Sequence, residues 1–184
     1  MTASHRVYLS LGSNIAREAN INKCLDTLAA KFGELCISSV YESESVGFRG
    51  DPFFNLVVSV GTTQAIDELS TTLRQIEYGQ GRERHGAKFS GRTLDIDILL
   101  FDDLRGDFDG IQLPRPEITE NAYVLWPLAE IAGELVLPGT QLRIAELWDG
   151  FDKLKQRLQP VSFIWGTCRL PNRSQPDLRG DSTQ

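Results

Sequence analysis

Hydrophobic and polar residues alternate along one short stretch near the start of the chain, and apolar residues then recur at three- and four-residue steps. Residues 6–11 alternate as a β-strand does, and Gly12-Ser13-Asn14 ends this strand with turn residues. From Ile21 to Phe32 the apolar positions lie on one face of a helix, and Gly33 is a typical stop. We therefore predict a strand, a turn and an amphipathic helix, and we interpret the turn as a helix start and not as a phosphate cradle.

The pattern continues with two more strands, a second helix and a further strand. Residues 36–41 and 53–60 predict strands, separated by a loop rich in Ser, Glu and Gly. Residues 65–78 place apolar side chains on one helical face, with Gly79 past the end. Residues 93–101 are apolar on both faces near their end, which is typical of a central strand. The order βαββαβ predicts an α+β, ferredoxin-like fold, an antiparallel sheet with both helices on one face.

The pattern loosens in the last third of the chain. Residues 102–110 predict a surface excursion, a short helical segment is expected near Ala129, and an edge strand over 161–165. We expect a single domain over residues 1–170, with the later elements as C-terminal additions. Residues 171–184 are polar and rich in helix and strand breakers, so a disordered tail is expected there.

Composition narrows the class of protein. The 184 residues suit one domain, and 41% hydrophobic with 24% charged residues is ordinary for a globular chain. No apolar run approaches the roughly 18 residues that span a bilayer, and the first residues do not form a secretory signal, so a cytoplasmic protein without a membrane partner is expected. The 3 cysteines have no C-x-x-C spacing, which argues against a disulfide framework and a zinc site.

The charge is unevenly distributed. A net charge of -6 disfavours general nucleic-acid binding. Residues 82–92 are nevertheless basic, because one acid, Glu83, stands against Arg82, Arg84, Lys88 and Arg92. Such a cluster suits a compact polyanion such as a triphosphate, and a solvated basic loop is the alternative.

Asp95 and Asp97 follow this basic segment. Two residues apart on a strand, their carboxylates share one face, with Cα atoms about 6 to 7 Å apart. Such a pair can hold Mg²⁺ and leave positions for phosphate and water. The alternative is two solvent-facing acids on an edge strand, but the apolar neighbours favour the cation site, since carboxylates in a central strand need a partner. Neither Walker-type nor dinucleotide-binding glycine motifs are present in the sequence.

Several motifs together match one known family. They are Leu11-Gly12-Ser13-Asn14, Tyr41 to Gly47, Asn55, Gln80-Gly81-Arg82 with Arg84, Arg92-Thr93-Leu94-Asp95-Ile96-Asp97-Ile98, and Val124-Leu125-Trp126-Pro127-Leu128. Across about residues 7–138 the chain resembles the 6-hydroxymethyl-7,8-dihydropterin pyrophosphokinase family on these motifs. The fold of that family is the ferredoxin-like one that the element order also predicts.

The resemblance implies that the β,γ-pyrophosphoryl group of ATP passes to the hydroxymethyl oxygen of a reduced pterin, with release of AMP and with two Mg²⁺ ions. Asp95 and Asp97 would hold the metals, and Arg82 and Arg92 would be catalytic. Pterin binding is implied for Ser43, Val46, Phe53, Asn55 and Tyr123, with Phe53 and Tyr123 sandwiching the ring. ATP binding is implied for Glu77, Arg84, Lys88, Ile98 and Arg115. Only small-molecule partners are implied, with no nucleic acid, and we expect a monomer.

The chain departs from the family pattern on the triphosphate side. Ser90-Gly91 replaces a usual Gly-Pro, and Phe89, Arg115 and Asn121 replace a frequent Trp, His and Arg. Glu44 adds an acid near the pterin residues. Two alternatives therefore stay open, an enzyme for another reduced pterin and a homologue that binds pterin or nucleotide without catalysis. A ferredoxin-like nucleic-acid module is disfavoured by the charge and by the lack of an aromatic RNP-like run.

Overall fold

The computed structural model describes residues 4–44, 50–81 and 93–172. The strands are β1 (His5–Ser13), β2 (Cys36–Ile37), β3 (Val40–Ser43), β4 (Phe53–Thr62), β5 (Asp95–Phe101), β6 (Gly106–Phe108), β7 (Ile111–Leu113), β8 (Leu158–Val161), β9 (Ile164–Trp165) and β10 (Cys168–Arg169). The helices are α1 (Arg17–Phe32), α2 (Ile66–Gly79), α3 (Glu117–Glu120), α4 (Ala122–Ala132) and α5 (Ile144–Asp149).

The main sheet is antiparallel and has the order β5-β1-β4-β3-β8, with β2 pairing to β4. Alternating side chains of β1 point to opposite faces, so Val7, Leu9 and Leu11 are fully buried on one face. That face packs against the apolar stripes of α1 and α2. The predicted ferredoxin-like α+β fold is confirmed, with α1 and α2 on one face.

The C-terminal additions cover the opposite face. Val57 and Leu99 point to this side and form a second core with Val124 and Leu128 of α4. Ile144 of α5 is fully buried in the same cluster. The sheet therefore lies between two helical layers.

Two strand predictions need correction. Residues 36–41 form two short strands, because Ser38 and Ser39 leave the ladder. The Ser38 backbone N–H donates to Val57 O at 3.0 Å, and its hydroxyl accepts from Val57 N at 2.9 Å. The Ser39 N–H donates to the Glu130 carboxylate at 2.9 Å. The strand over 161–165 was wrongly placed, since β8 joins the sheet over Leu158–Val161 and β9 pairs with β10 instead.

β5 lies at the edge of the sheet that the structure describes, and the expectation of a central strand was wrong. Its Leu99 and Leu100 are buried in the core with α4, and its Ile96 and Ile98 are buried in the core with α1 and α2. The strand is therefore apolar because helical layers cover both faces, and not because strands flank it on both sides.

The later elements are more regular than their sequence pattern indicates. The predicted surface excursion over 102–110 includes one strand of the β6–β7 hairpin, and the helical segment near Ala129 is the full-length α4 with Pro127 inside it. From position 173 onward the predicted tail lies outside the described residues. Within the described part of the chain, no helix combines the length and apolarity needed to cross a membrane.

Candidate active site

The site begins with a row of residues across four strands on the α4 side of the sheet. In the strand registers, Gly12 of β1 lies opposite Asp95 of β5 on one side and Asn55 of β4 on the other. Asn55 in turn lies opposite Tyr41 of β3. Directly opposed residues point to the same face, and neighbouring strands are about 4.8 Å apart. The acidic pair and Asn55 therefore flank Gly12, about 10 Å from each other in strand spacing.

Asp95 and Asp97 share this face, as the spacing predicts. Both are partly exposed, and Asp97 Oδ1 forms an ion pair with Arg115 Nη2 at 3.0 Å. Arg115 also contacts Glu117 at 3.4 Å. Carboxylate oxygens at an accessible surface are suitable Mg²⁺ ligands. The described residues contain no cluster of three or more His, Cys, Asp or Glu able to hold a metal ion, so this pair supplies two protein ligand groups at most there.

Glu77 supports the acidic strand from α2. It is 5% exposed, and its Oε1 accepts the backbone N–H of Ile96 at 2.8 Å, between the two aspartates. An edge strand leaves such outward amides without a ladder partner, and the carboxylate supplies one. Burial, with Glu77 nearby as the second cause, raises the pKa of the Cys24 thiol to about 12. The ATP-binding role implied for Glu77 stays a prediction.

Ser13 and Asn14 hold the segments that flank the site. The Ser13 hydroxyl donates to Thr93 O at 2.6 Å, beside the acidic strand, and Asn14 Nδ2 donates to Asp51 O at 3.2 Å, just before β4. The cap residue of α1 is Ala16, which has a positive φ of 40° and makes no side-chain cap bond. The expected helix-start role of Ser13 and Asn14 was therefore wrong, because their polar groups bond these neighbouring segments.

Ser43, Phe53 and Asn55 form a recess beside Gly12. Asn55 Nδ2 donates to Ser43 Oγ at 2.8 Å, and both residues are more than nine-tenths buried. Ser43 lies opposite Phe53 in the β3–β4 register. A Cβ atom on Gly12 would lie 3.6 Å from Asn55 Oδ1 and 3.9 Å from Phe53 Cδ1. We call these four residues the recess, with Gly12, which has no side chain, as its floor.

A cavity of about 460 Å³ adjoins the recess at Ser43. It is lined by Ser43, Glu44, Tyr123 and residues 154–157, so Tyr123 at the start of α4 shares it with β3. The sequence did not predict that residues 154–157 line this cavity. They lie about 30 positions beyond the motifs and carry no pattern of their own.

The structure says little about the roles of the other predicted site residues. Ile98 is 5% exposed and its side chain packs in the core with α1 and α2, so an ATP contact would use its backbone. Val46, Arg82, Arg84, Lys88 and Arg92 lie outside the described residues.

The fold and this geometry define a ferredoxin-like α+β protein with paired carboxylates beside a polar and aromatic recess on one sheet face. The family model for 7,8-dihydro-6-hydroxymethylpterin-pyrophosphokinase (HPPK) matches residues 8–133. The chain belongs to this family, and the resemblance predicted from its motifs is confirmed.

Two curated relatives carry the same name, 2-amino-4-hydroxy-6-hydroxymethyldihydropteridine pyrophosphokinase. The Pseudomonas aeruginosa protein is 36% identical over 137 residues, which cover 72% of this chain and 84% of that protein. The Bacillus subtilis protein is 35% identical over 161 residues, covering 85% and 95%. A crystal structure of a Plasmodium falciparum HPPK-DHPS protein has a TM-score of 0.66 and 14% identity, and the match covers 84% of this chain. The match spans only 47% of that longer chain, and at this identity it supports the fold alone.

Proposed function

We propose that this protein transfers the pyrophosphoryl group of ATP to 6-hydroxymethyl-7,8-dihydropterin, giving the pterin diphosphate and AMP, in folate biosynthesis. It is an ATP-dependent diphosphokinase, as the family and both curated relatives are named. The observation that carries the proposal is the row across the sheet, in which Gly12 separates Asp95 from Asn55. The residues proposed for the metal ions and for the pterin thus lie on one face of the sheet, one strand apart on either side of Gly12.

The recess is the proposed pterin site. The bond from Asn55 Nδ2 to Ser43 Oγ fixes the amide, so that Asn55 Oδ1 faces the side of Gly12 and can accept from a pterin N–H. We assign Phe53 and Tyr123 to the two faces of the ring, since stacking suits a flat heterocycle. Both are partly exposed, as residues that line a ligand site are before binding. Val46 completes the proposed pterin residues by resemblance.

The acidic strand is the proposed ATP side. Asp95 and Asp97 would hold Mg²⁺, because both offer accessible oxygen donors on one face and Glu77 fixes the strand between them. The cations would neutralise phosphate charge during transfer. Arg115 is held at this edge by Asp97 and Glu117, where its guanidinium can bind a phosphate oxygen. Glu77, Arg84, Lys88 and Ile98 complete the proposed ATP residues.

The transfer itself needs donors for the charge that builds on the migrating group. By resemblance, Arg82 and Arg92 supply them. The hydroxymethyl oxygen attacks the β-phosphorus and gives up its proton to solvent, the bond between the β-phosphorus and the bridging oxygen of the α-phosphate breaks, and AMP leaves with that oxygen. Guanidinium groups are suited to this role because they donate two hydrogen bonds to phosphate oxygens at once.

We also propose that residues 1–170 form one domain. β8 extends the main sheet, and Trp165 Nε1 donates to Asp26 Oδ1 of α1 at 2.8 Å, so the C-terminal additions contact both the sheet and the first helix.

The nucleotide product tests the reaction. The purified protein with Mg²⁺, ATP and 6-hydroxymethyl-7,8-dihydropterin should release AMP in proportion to pterin diphosphate, measured by ion-exchange chromatography. ADP as the product would refute the reaction class. Absence of any nucleotide product, with pterin binding intact, would favour a homologue that binds without catalysis. A parallel reaction with a longer side-chain pterin should be slower, and a faster one would favour the divergent substrate.

A further inference from the structure

The first turn of α4 is held by a residue from much later in the chain. Gln156 Oε1 accepts the backbone N–H of Ala122, the first residue of α4, at 2.7 Å. Its Nε2 donates to Asn121 Oδ1 at 3.1 Å and to Glu120 O at 3.3 Å. One amide side chain therefore bonds three consecutive residues that end at the residue before Tyr123.

This contact supports the start of α4 from outside the helix. The first N–H groups of a helix have no partner inside the helix, and the cap side chain usually supplies one for the second or third of them. Asn121 is the cap residue of α4 and makes no side-chain cap bond. Gln156 supplies an acceptor for the N–H of Ala122, the first helical residue, so the start of α4 depends on the segment 154–157.

The rest of α4 is anchored independently. Val124, Leu125 and Leu128 are buried in the core on this face of the sheet. Farther along the helix, the Glu130 carboxylate accepts from the Tyr41 hydroxyl and from Ser39 N–H. Loss of the Gln156 bonds should therefore loosen the first two residues of α4, Ala122 and Tyr123, and leave the helix from Val124 onward in place.

Tyr123 and Gln156 line the same cavity together with Ser43. We propose that Gln156 is a positioning residue, which sets the first turn of α4 so that Tyr123 lies correctly for the pterin. The proposal rests on the proposed function, because it assumes that Tyr123 contacts the pterin. Gln156 lies beyond the residues 8–133 that match the family model. Pterin affinity in this chain is accordingly determined in part by its C-terminal additions.

Three variants of the full chain test the role. Gln156→Met keeps the length of the side chain and removes its hydrogen bonds. Gln156→Glu keeps an acceptor for Ala122 N–H at a helix start, where negative charge is favourable. Gln159→Met is the matched control, since Gln159 is an exposed glutamine on the neighbouring strand β8.

Calorimetry should measure the affinity for 6-hydroxymethyl-7,8-dihydropterin and, separately, for a non-hydrolysable ATP analogue. Gln156→Met should weaken pterin binding about three- to tenfold and change nucleotide binding less than about twofold, in keeping with the worth of a helix cap. Gln156→Glu keeps the bond to Ala122 N–H but loses the two donor bonds to Asn121 Oδ1 and Glu120 O, so its pterin affinity should lie between those of Gln156→Met and wild type. Gln159→Met should match wild type. A purely structural role would weaken both ligands alike, and that result overturns the proposal.

Whether Gln156 acts on the pterin through Tyr123 is tested by combining substitutions at the two positions. In a Tyr123→Ala background, Gln156→Met should cause no further loss of pterin affinity, and an undiminished loss there would overturn the proposal. Wild-type pterin affinity in Gln156→Met would overturn it directly. If Tyr123→Ala alone leaves pterin binding unchanged, the proposed pterin site fails, and the Gln156 role through Tyr123 fails with it. If Tyr123→Ala weakens binding while Gln156→Met does not, only the Gln156 role fails.

Discussion

Replacing Gly12 by valine should weaken pterin binding and leave the fold intact. Gly12 is partly exposed on the floor of the recess, where a Cβ would lie 3.6 Å from Asn55 Oδ1 and 3.9 Å from Phe53 Cδ1. These are ordinary contact distances, so alanine fits. Valine adds carbons about 1.5 Å farther out, which can approach Asn55 Oδ1 to about 2.1 Å unless they turn into the open space.

The expected loss of pterin affinity depends on where the valine carbons lie. Carbons placed in the recess take space that the pterin would fill, and extra carbons in a packed site cost about 1 to 3 kcal/mol. This corresponds to about 5- to 150-fold weaker pterin binding. Gly12→Ala should weaken it less than about fivefold and should stabilise the fold by about 0.5 to 1 kcal/mol, since glycine in a strand is unfavourable relative to alanine.

Pterin affinity by calorimetry and unfolding in urea together separate the two effects. Gly61→Val is the matched control, because Gly61 is an exposed glycine at the far end of β4. That variant should bind pterin as wild type does. Unchanged pterin affinity in Gly12→Val would refute the recess as the pterin site, and equal loss of pterin and ATP analogue binding would point to a distorted sheet.

Asp95→Asn and Asp97→Asn should each lower AMP release at saturating ATP by about 10²-fold or more, since a carboxylate that faces the phosphate charge is lost; full activity in both variants would remove the metal assignment. Arg115→Gln should tighten Mn²⁺ binding about two- to fivefold without nucleotide, because a positive charge 3.0 Å from Asp97 disappears from a partly exposed pair; paramagnetic titration measures this, and weaker Mn²⁺ binding would contradict it. Burial holds the pKa of Cys24 at about 12 against an ordinary 9.0. Above pH 9.0 the unfolded chain therefore loses a proton that the native protein keeps, and stability should fall with rising pH, by about 1.4 kcal/mol in total between pH 8 and pH 10 relative to Cys24→Ala. Urea unfolding at pH 8, 9 and 10 measures that difference, and parallel curves for the two proteins would show that Cys24 does not titrate in this way.

The elements that could be predicted are those whose pattern is local. α1 and α2 show apolar residues at helical steps, and β4 is apolar along most of its length. The break in residues 36–41 was not predictable, because Ser38 bonds to Val57 and Ser39 to Glu130, both distant in sequence. β5 resembled a central strand for a related reason, since burial by two helical layers leaves the same apolar pattern as flanking strands.

The candidate site also contains parts that could be predicted from the sequence and parts that could not. The spacing of Asp95 and Asp97 on one strand predicts a shared face, and the strand register agrees. The support beneath them was not predictable, because Glu77 reaches the Ile96 N–H from another element. No sequence pattern marks Gln156 as part of the site, since only the tertiary fold brings it to Ala122.

At both edges of the main sheet, some of the backbone groups are occupied or unable to donate a hydrogen bond. On one side β8 ends the sheet, and Pro160, opposite Tyr41, has no N–H to donate to a further strand. On the other side, Glu77 takes the Ile96 N–H and the Arg115 N–H donates to Leu99 O at 3.0 Å. Glu77, which supports the acidic strand, thus also occupies a backbone donor that a strand from a second molecule could otherwise use for edge-to-edge pairing.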